Sequence, residues 1–182
     1  MKWLIASDVH GSALRCGELL AAFSAEKADR LLLLGDILYH GPRNDLPGGY
    51  APKEVASMLN AVKEKIVCVR GNCEAEVDQA MLEFPCMADY ALIPFGKNLI
   101  FATHGHLFNE KRLPMLCEGD VLLNGHTHIA AGEKRDGYYY CNPGSVSIPK
   151  GGTPCGYMTF DGALFEWKTL DGEVWKTLKI AD

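Results

Sequence analysis

No apolar run in this chain of 182 residues is long enough to cross a bilayer, no lysine- or arginine-rich run marks a nucleic-acid groove, and no Cys-x-x-Cys pair occurs among its seven cysteines. Each absence removes a class. A membrane span needs roughly 20 apolar residues, and the N-terminal run Trp3–Ala6 is too short even for a signal-peptide core. Proteins that track a duplex carry basic stripes, whereas this chain has a formal charge of -5 and a pI near 5.7. Scattered cysteines in odd number suit free thiols in a reducing compartment, so a cytoplasmic location is expected. Lys150-Gly151-Gly152 lacks the surrounding Gly-x-x-x-x-Gly-Lys-Ser/Thr pattern, which excludes a nucleotide P-loop.

What the chain does contain is an ordinary globular balance: hydrophobic residues make up 48% and charged residues 23%, as fits one folded domain over residues 1–182. Short apolar runs repeatedly end in polar clusters. Trp3–Ala6 precedes Ser7-Asp8, Leu31–Leu34 precedes Gly35-Asp36, and Ile66–Val69 precedes Arg70-Gly71-Asn72. Leu99–Ala102 before Thr103-His104 and Val121–Leu123 before Asn124-Gly125-His126 repeat the pattern. Such runs suit strands buried on both faces. Between the first two, Ser12 suits a helix N-cap and Cys16, Leu19, Leu20 and Phe23 recur at helical spacing. Pro52 suits a first helical turn ahead of Val55, Met58, Leu59 and Val62. The first half is thus predicted as β-α-β-α-β with parallel strands, whose carboxyl-end loops converge. In the last third, Asp136-Gly137, Asp161-Gly162 and Asp171-Gly172 separate β-rich stretches, among them Ala163–Thr169 and Val174–Ile180, as hairpin turns would. An α/β chain with two packed sheets is expected.

The polar clusters carry the chemistry. In extended backbone, residues i and i+2 point the same way, so Asp8-x-His10 and His126-x-His128 are each expected to aim two ligand atoms to one side. Taken singly, each cluster has an ordinary alternative: a solvated turn for Asp-x-His, strand-ending turns for Gly35-Asp36 and Gly71-Asn72, a hydrogen-bonding histidine at His104 or His106. Taken together they do not, because five of the six histidines fall at predicted strand ends and the sixth, His40, follows Asp36 by four residues. Carboxylate, imidazole and one amide without thiolate suit Mn²⁺, Fe, Zn²⁺ or Mg²⁺ better than a structural cysteine-zinc site. Two divalent ions carry four positive charges, of which Asp8 and Asp36 remove two and a bridging hydroxide one, leaving a cationic centre suited to a phosphate ester. Two metals about 3.5–4 Å apart polarise a phosphoryl oxygen and acidify bound water.

The ordered set Asp8-x-His10, Gly35-Asp36, Gly71-Asn72, His104 and Gly125-His126-x-His128 resembles the calcineurin-like metallophosphoesterase superfamily and spans most of the chain. The surrounding Ser7-Asp8-Val9-His10-Gly11, His40-Gly41-Pro42-Arg43-Asn44, Gly71-Asn72-Cys73 and Asn142-Pro143-Gly144-Ser145-Val146-Ser147 are similar to the small bacterial YfcE-type phosphodiesterases. The resemblance implies a four-layer α/β/β/α sandwich of two mixed sheets. It implies that Asp8, His10, Asp36 and His128 hold one metal, and that Asp36 bridges to a second held by Asn72, His104 and His126. The implied cofactor is a pair of divalent ions, Mn²⁺ foremost, with Zn²⁺, Fe, Ni²⁺, Co²⁺ or Mg²⁺ as alternatives. The implied activity is phosphodiester hydrolysis by hydroxide bridging the pair, with Asp36, Asn72 and His104 as catalytic residues.

One position departs from the family pattern. Many superfamily members carry a histidine after the Gly-Asn pair, where it assists the leaving group, but here Cys73 stands there, followed by Glu74. A thiol with an ordinary pKa of about 8.5 is a poor substitute for an imidazolium. Diesters with good leaving groups are therefore expected over monoesters, with a phosphomonoesterase as the alternative and a protonating role for Cys73 or Glu74 left open. Arg43, Asn44 and His106 are the candidates for gripping the phosphate or steadying the ligands, Arg43 in competition with a surface ion pair and His40 either a partner to the ligands or a plain loop histidine. The Gly- and Pro-rich segment Gly41–Pro52 is either a pocket wall or a passive connection. A competing class is a protein-binding scaffold like the retromer subunit of the superfamily, which the filled ligand positions disfavour. The expected partner is a small phosphodiester, with no extended nucleic acid and no membrane; a homo-oligomer stays open, and Trp3, Trp167 and Trp175 are assigned to core packing in preference to an interface.

Overall fold

Strand β1 (Trp3–Ala6) buries Leu4 and Ala6 on one side and Ile5 on the other, which is why its sequence is apolar without alternation. In the computed structural model, which describes residues 1–180, strand β2 (Arg30–Leu33) does the same with Leu31 and Leu33 opposed to Leu32. Helix α1 (Ala13–Ala25) connects them, capped by Ser12, whose Oγ accepts from the Arg15 amide at 3.3 Å. Helix α2 (Pro52–Asn60) starts on its proline and stops before Val62, so that residue lies outside the helix its spacing predicted. Strand β3 (Ile66–Cys68) completes the predicted β-α-β-α-β half. Pairing is parallel, with Trp3 opposite Arg30 and Leu31 opposite Ile66.

Helix α3 (Glu76–Met81) and strand β4 (Tyr90–Phe95) follow, neither anticipated from sequence. Strands β5 (Asn98–Thr103), β6 (Asp120–Leu123), β7 (Ala131–Lys134) and β8 (Tyr138–Asn142) join β4 in a second sheet of order β4-β5-β6-β8-β7. Strands β9 (Gly156–Phe160), β10 (Leu164–Thr169) and β11 (Val174–Lys179) return to the first sheet, order β11-β10-β9-β1-β2-β3, antiparallel to β1 through Trp3 opposite Phe160. The three Asp-Gly turns do separate hairpin strands, yet the hairpins divide between two sheets.

Both sheets are mixed, as the resemblance implied. One core layer lies between the first sheet and the helices, from Leu4, Leu31 and Leu33 to Leu19, Phe23, Val55 and Leu59. A second fills the space between the sheets, where Ile5, Leu32 and Leu34 join Ile100, Val121, Leu123 and a fully buried Trp167. Trp3 packs partly on that layer, while Trp175 is 39% exposed and not a core residue. The outer face of the second sheet, Phe101, Leu122 and Tyr140, is covered by Phe108 and Leu116 from the segment 104–119. That fourth layer is irregular chain, with no helix in it.

Glu26, at the end of α1, ties three segments together: it accepts from Lys168 Nζ at 2.8 Å, Lys2 Nζ at 2.6 Å and Tyr157 Oη at 3.0 Å. Burial pushes its carboxyl up, but these partners overcome that and hold it at about 2. A depressed folded pKa means stabilisation that is complete above the ordinary carboxylate range and lost as pH falls through about 2. Glu26→Gln is expected to cost about 1–2 kcal/mol at pH 7, and thermal melts should show the gap to wild type closing in acid. A gap of equal size at pH 7 and pH 2 would contradict this.

Candidate metal centre

Each predicted ligand follows a strand: Asp8 and His10 after β1, Asp36 after β2, Asn72 after β3, His104 after β5, His126 and His128 after β6. Among the described residues six non-glycine residues have positive φ, and five are in this set: Asp8 (57°), His10 (50°), Asp36 (55°), His126 (66°) and His128 (61°). A left-handed backbone costs a residue with a side chain on the order of 1 kcal/mol or more, so the surroundings must enforce it. The i, i+2 pairs therefore converge through left-handed turns and not through strand alternation, which corrects the mechanism expected from sequence.

Several groups enforce those turns. The Asp8 amide donates to Gly35 O at 3.1 Å and the His10 amide to Asp36 O at 2.9 Å, locking two strand-end loops together. Ser145 Oγ and Ser147 Oγ both donate to Asp8 O, at 2.7 and 3.1 Å. Asp8 Oδ2 accepts from Ser7 Oγ at 2.6 Å and from the His126 amide at 3.0 Å. Glu74 is buried, and its carboxylate accepts from the amides of Asp36 at 2.9 Å, Ile37 at 2.7 Å and Gly71. Sequence reasoning missed Ser7, Ser145 and Ser147 as supports, although two of them stand in the quoted Asn142–Ser147 motif.

Proton positions follow from these contacts. His10 Nδ1 lies 2.8 Å from Tyr39 O, His104 Nδ1 2.7 Å from Leu34 O, and His128 Nδ1 2.8 Å from Ile148 O. A carbonyl only accepts, so each Nδ1 carries a proton and donates it, leaving Nε2 of the neutral ring with a lone pair. Those lone pairs meet. His10 Nε2 and His128 Nε2 are 3.2 Å apart, and Asp8 Oδ1 lies 3.5 and 3.2 Å from them. Asp8 Oδ1 is also buried with no hydrogen-bond partner. Beside this point, His104 Nε2 is 3.1 Å from Asn72 Oδ1, 3.2 Å from His126 Nδ1 and 3.5 Å from Asp36 Oδ2. Asp36 Oδ2 is 3.7 Å from His10 Nε2 as well, so it faces both clusters.

Converging acceptors with no proton between them repel unless a cation sits among them. Ligand atoms about 2.0–2.2 Å from one ion lie about 3–3.5 Å apart, which is the spacing here. The donor set therefore fits divalent cations. The electrostatics agree: burial alone would raise Asp8, yet His10 and His128 hold it far below the carboxylate range, and Asp36 is lowered by His104 against its own burial. Burial opposes protonation of His104, but with no cation beside it Asp36 and Asp8 push it up to about 9, so the metal-free ring holds a proton that a bound ion would displace.

A profile of the calcineurin-like phosphoesterase superfamily domain matches residues 1–163. The chain belongs to that superfamily. It is 50% identical over 173 residues to phosphodiesterase YfcE of Escherichia coli strain K12, covering 95% of this chain and 94% of YfcE. A solved structure of YfcE, a phosphoesterase from E. coli, superposes with a TM-score of 0.96 at 45% identity over the whole of both chains. Vps29 from Entamoeba histolytica, at 20% identity and a TM-score of 0.63, shares the fold. Membership in the calcineurin-like phosphoesterases implies divalent metal ions.

In this superfamily member the centre opens into a cleft of about 400 Å³ lined by Asp36, Asn72, His126 and His128 at its foot and by Arg43, Asn44, Cys73 and Lys150 above. Arg43 is exposed and has no ion-pair partner among the described residues, which removes the competing surface salt bridge. Asn44 lines the cleft while its amide donates to His40 O at 2.9 Å, holding the Gly41–Asn44 turn. That turn is a wall, not a passive connection. His106 is not in the lining; it lies against His104 and His126, and burial together with His104 holds it down at about 4. His40 sits edge-on between Tyr39 and Tyr50, also outside the lining. Glu74 points away from the cleft and Cys73 into it.

Proposed function

We propose that this protein is a metal-dependent phosphodiesterase working with two divalent cations, Mn²⁺ foremost. The observation that carries the proposal is the convergence of the His10 and His128 Nε2 atoms and the orphaned Asp8 Oδ1 at the foot of a cleft that Arg43 lines. Asp8, His10, Asp36 and His128 would hold one ion, and Asp36, Asn72, His104 and His126 the other. Once bound, two such ions supply Lewis-acid polarisation of a phosphoryl group and activation of water.

The chain's own residues do the rest. Arg43 presents a guanidinium suited to a phosphate oxygen pair. Tyr39, Leu34 and Ile148 carbonyls fix the ring orientations of His10, His104 and His128, so no reorganisation is needed when substrate arrives. Burial, reinforced by Asp36, pushes the Cys73 thiol up, so it stays neutral at the cleft wall. Glu74 is committed to three amides. Neither is a strong acid for a departing alkoxide. Monoester transition states load charge on the leaving oxygen, so a diester with a good leaving group makes the smallest demand. With Mn²⁺ supplied, kcat/KM for a bis-aryl phosphate is expected to exceed that for the aryl monoester by about tenfold or more, and faster monoester turnover would overturn the diesterase assignment.

The shared layer of Ile5, Leu32, Val121 and Leu123 between the sheets supports treating the chain as one domain. Free cysteines throughout, seven in all, support a reducing, cytoplasmic setting. No helix among the described residues is long and apolar enough to cross a membrane.

A further inference from the structure

Lys150 is the cleft residue that the phosphodiesterase assignment leaves without a task. It follows β8 and is exposed, and its ammonium has no ion-pair partner among the described residues. Its backbone is nevertheless held from two sides: the Lys150 amide donates to His128 O at 2.9 Å, and Lys150 O accepts from Thr153 Oγ1 at 2.9 Å and the Thr153 amide at 3.2 Å. Arg43 enters the same cleft from a different segment, the turn after β2. The lining thus holds two unpaired cations and one acid, Asp36, whose carboxylate is already engaged by the Cys73 amide at 2.9 Å and by imidazoles. In a chain of net charge -5, that mouth is locally positive. Apart from His126 and His128 no aromatic ring lines it, so a nucleobase would find no platform of Phe, Tyr or Trp to stack on.

We propose that Lys150 forms a second anion subsite, and that the substrates are compact polar phosphodiesters carrying a further anionic group, carboxylate or phosphate, on one ester arm. Resting on the phosphodiesterase assignment above, Arg43 takes the scissile phosphate and Lys150 the second anion. A diester brings one negative charge at the scissile group, which one guanidinium answers; the second cation has a partner only when the arm is charged.

The test uses the full-length, metal-loaded protein and two aryl phosphodiesters identical except that one alkyl arm ends in a carboxylate and the other in the primary amide. The wild type is expected to prefer the carboxylate by about tenfold in kcat/KM, and Lys150→Ala to erase most of that ratio through KM and not kcat. Lys97→Ala, which removes the same charge outside this cleft, is the control for long-range electrostatics and should keep the ratio. A wild-type ratio near one, a ratio unchanged in Lys150→Ala, or an equal fall in Lys97→Ala each overturns the subsite while leaving the phosphodiesterase standing. Cleavage of neither compound overturns both. Lys150 is exposed, so its truncation leaves the core intact.

Discussion

Asp36→Asn is expected to lower kcat/KM for an aryl phosphodiester by about a thousandfold while the protein stays folded. Asp36 faces both clusters: it groups with His10 and Cys73 on one side and with Asp8 and His104 on the other. Its Oδ1 accepts from the Cys73 amide, and its Oδ2 lies between His10 Nε2 and His104 Nε2. An asparagine of the same shape keeps one carbonyl oxygen but must turn an NH₂ either toward the Cys73 amide or toward the imidazole lone pairs. It also removes one of the two negative charges that Asp8 and Asp36 would set against the proposed ions. Metal content measured on purified protein should fall from about two ions per chain to about one. The melting temperature of the metal-free protein should fall by a few degrees, because the lowered Asp36 carboxylate is stabilised by His104 and the Cys73 amide and that contribution goes. An Asp36→Asn variant with two tightly held ions and near-normal turnover would remove Asp36 from the centre.

A single methyl group should do comparable damage from outside the ligand set. At Gly125 an added Cβ would sit 1.9 Å from Ser7 Oγ and 2.8 Å from Asp8 Oδ2. Gly125 cannot retreat, since its amide donates to His104 O at 2.8 Å and its carbonyl accepts from Asn142 Nδ2 at 2.9 Å. Something must move, and the nearest movable groups are Ser7 and Asp8 themselves. Gly125→Ala is expected to cost about 2–3 kcal/mol, read as a fall of about 4–12 °C in melting temperature, with diester turnover down a hundredfold or more. Gly17, in the middle of α1 with nothing near its missing Cβ, is the contrast. Gly17→Ala should raise the melting temperature slightly, since alanine is the better helix former by about 1 kcal/mol. If the two variants melted alike, crowding at Gly125 would not be what holds the centre together.

The legible parts of the fold were those with a local cause. Leu31–Leu34 is apolar because both faces of β2 are covered, and Ser12 caps α1 because its hydroxyl reaches an amide three residues on. Strand β4 escaped notice because it is an edge with Tyr90 and Leu92 exposed and a proline within it. Helix α3, at six residues, is too short to show a period. The hairpins of the last third were visible from their Asp-Gly turns, but which sheet each joined was not, because pairing partners lie more than a hundred residues away, as Trp3 and Phe160 do.

By itself the sequence determined the chemistry on offer. Histidine, aspartate and asparagine at strand ends are side-chain identities, and the convergence of strand ends in an α/β sheet follows from chain direction alone. Tertiary structure decided what those side chains are prepared to do. The carbonyls of Leu34, Tyr39 and Ile148 choose the tautomers, yet every residue has a carbonyl, so no residue type announces that role. Left-handed turns at five candidate ligands, the Glu74 clamp on two loops and the placing of Lys150 beside Arg43 likewise depend on distant segments meeting. Local sequence names the candidate ligands; only packing aims their donor atoms at shared points and leaves Asp8 Oδ1 with no proton to accept.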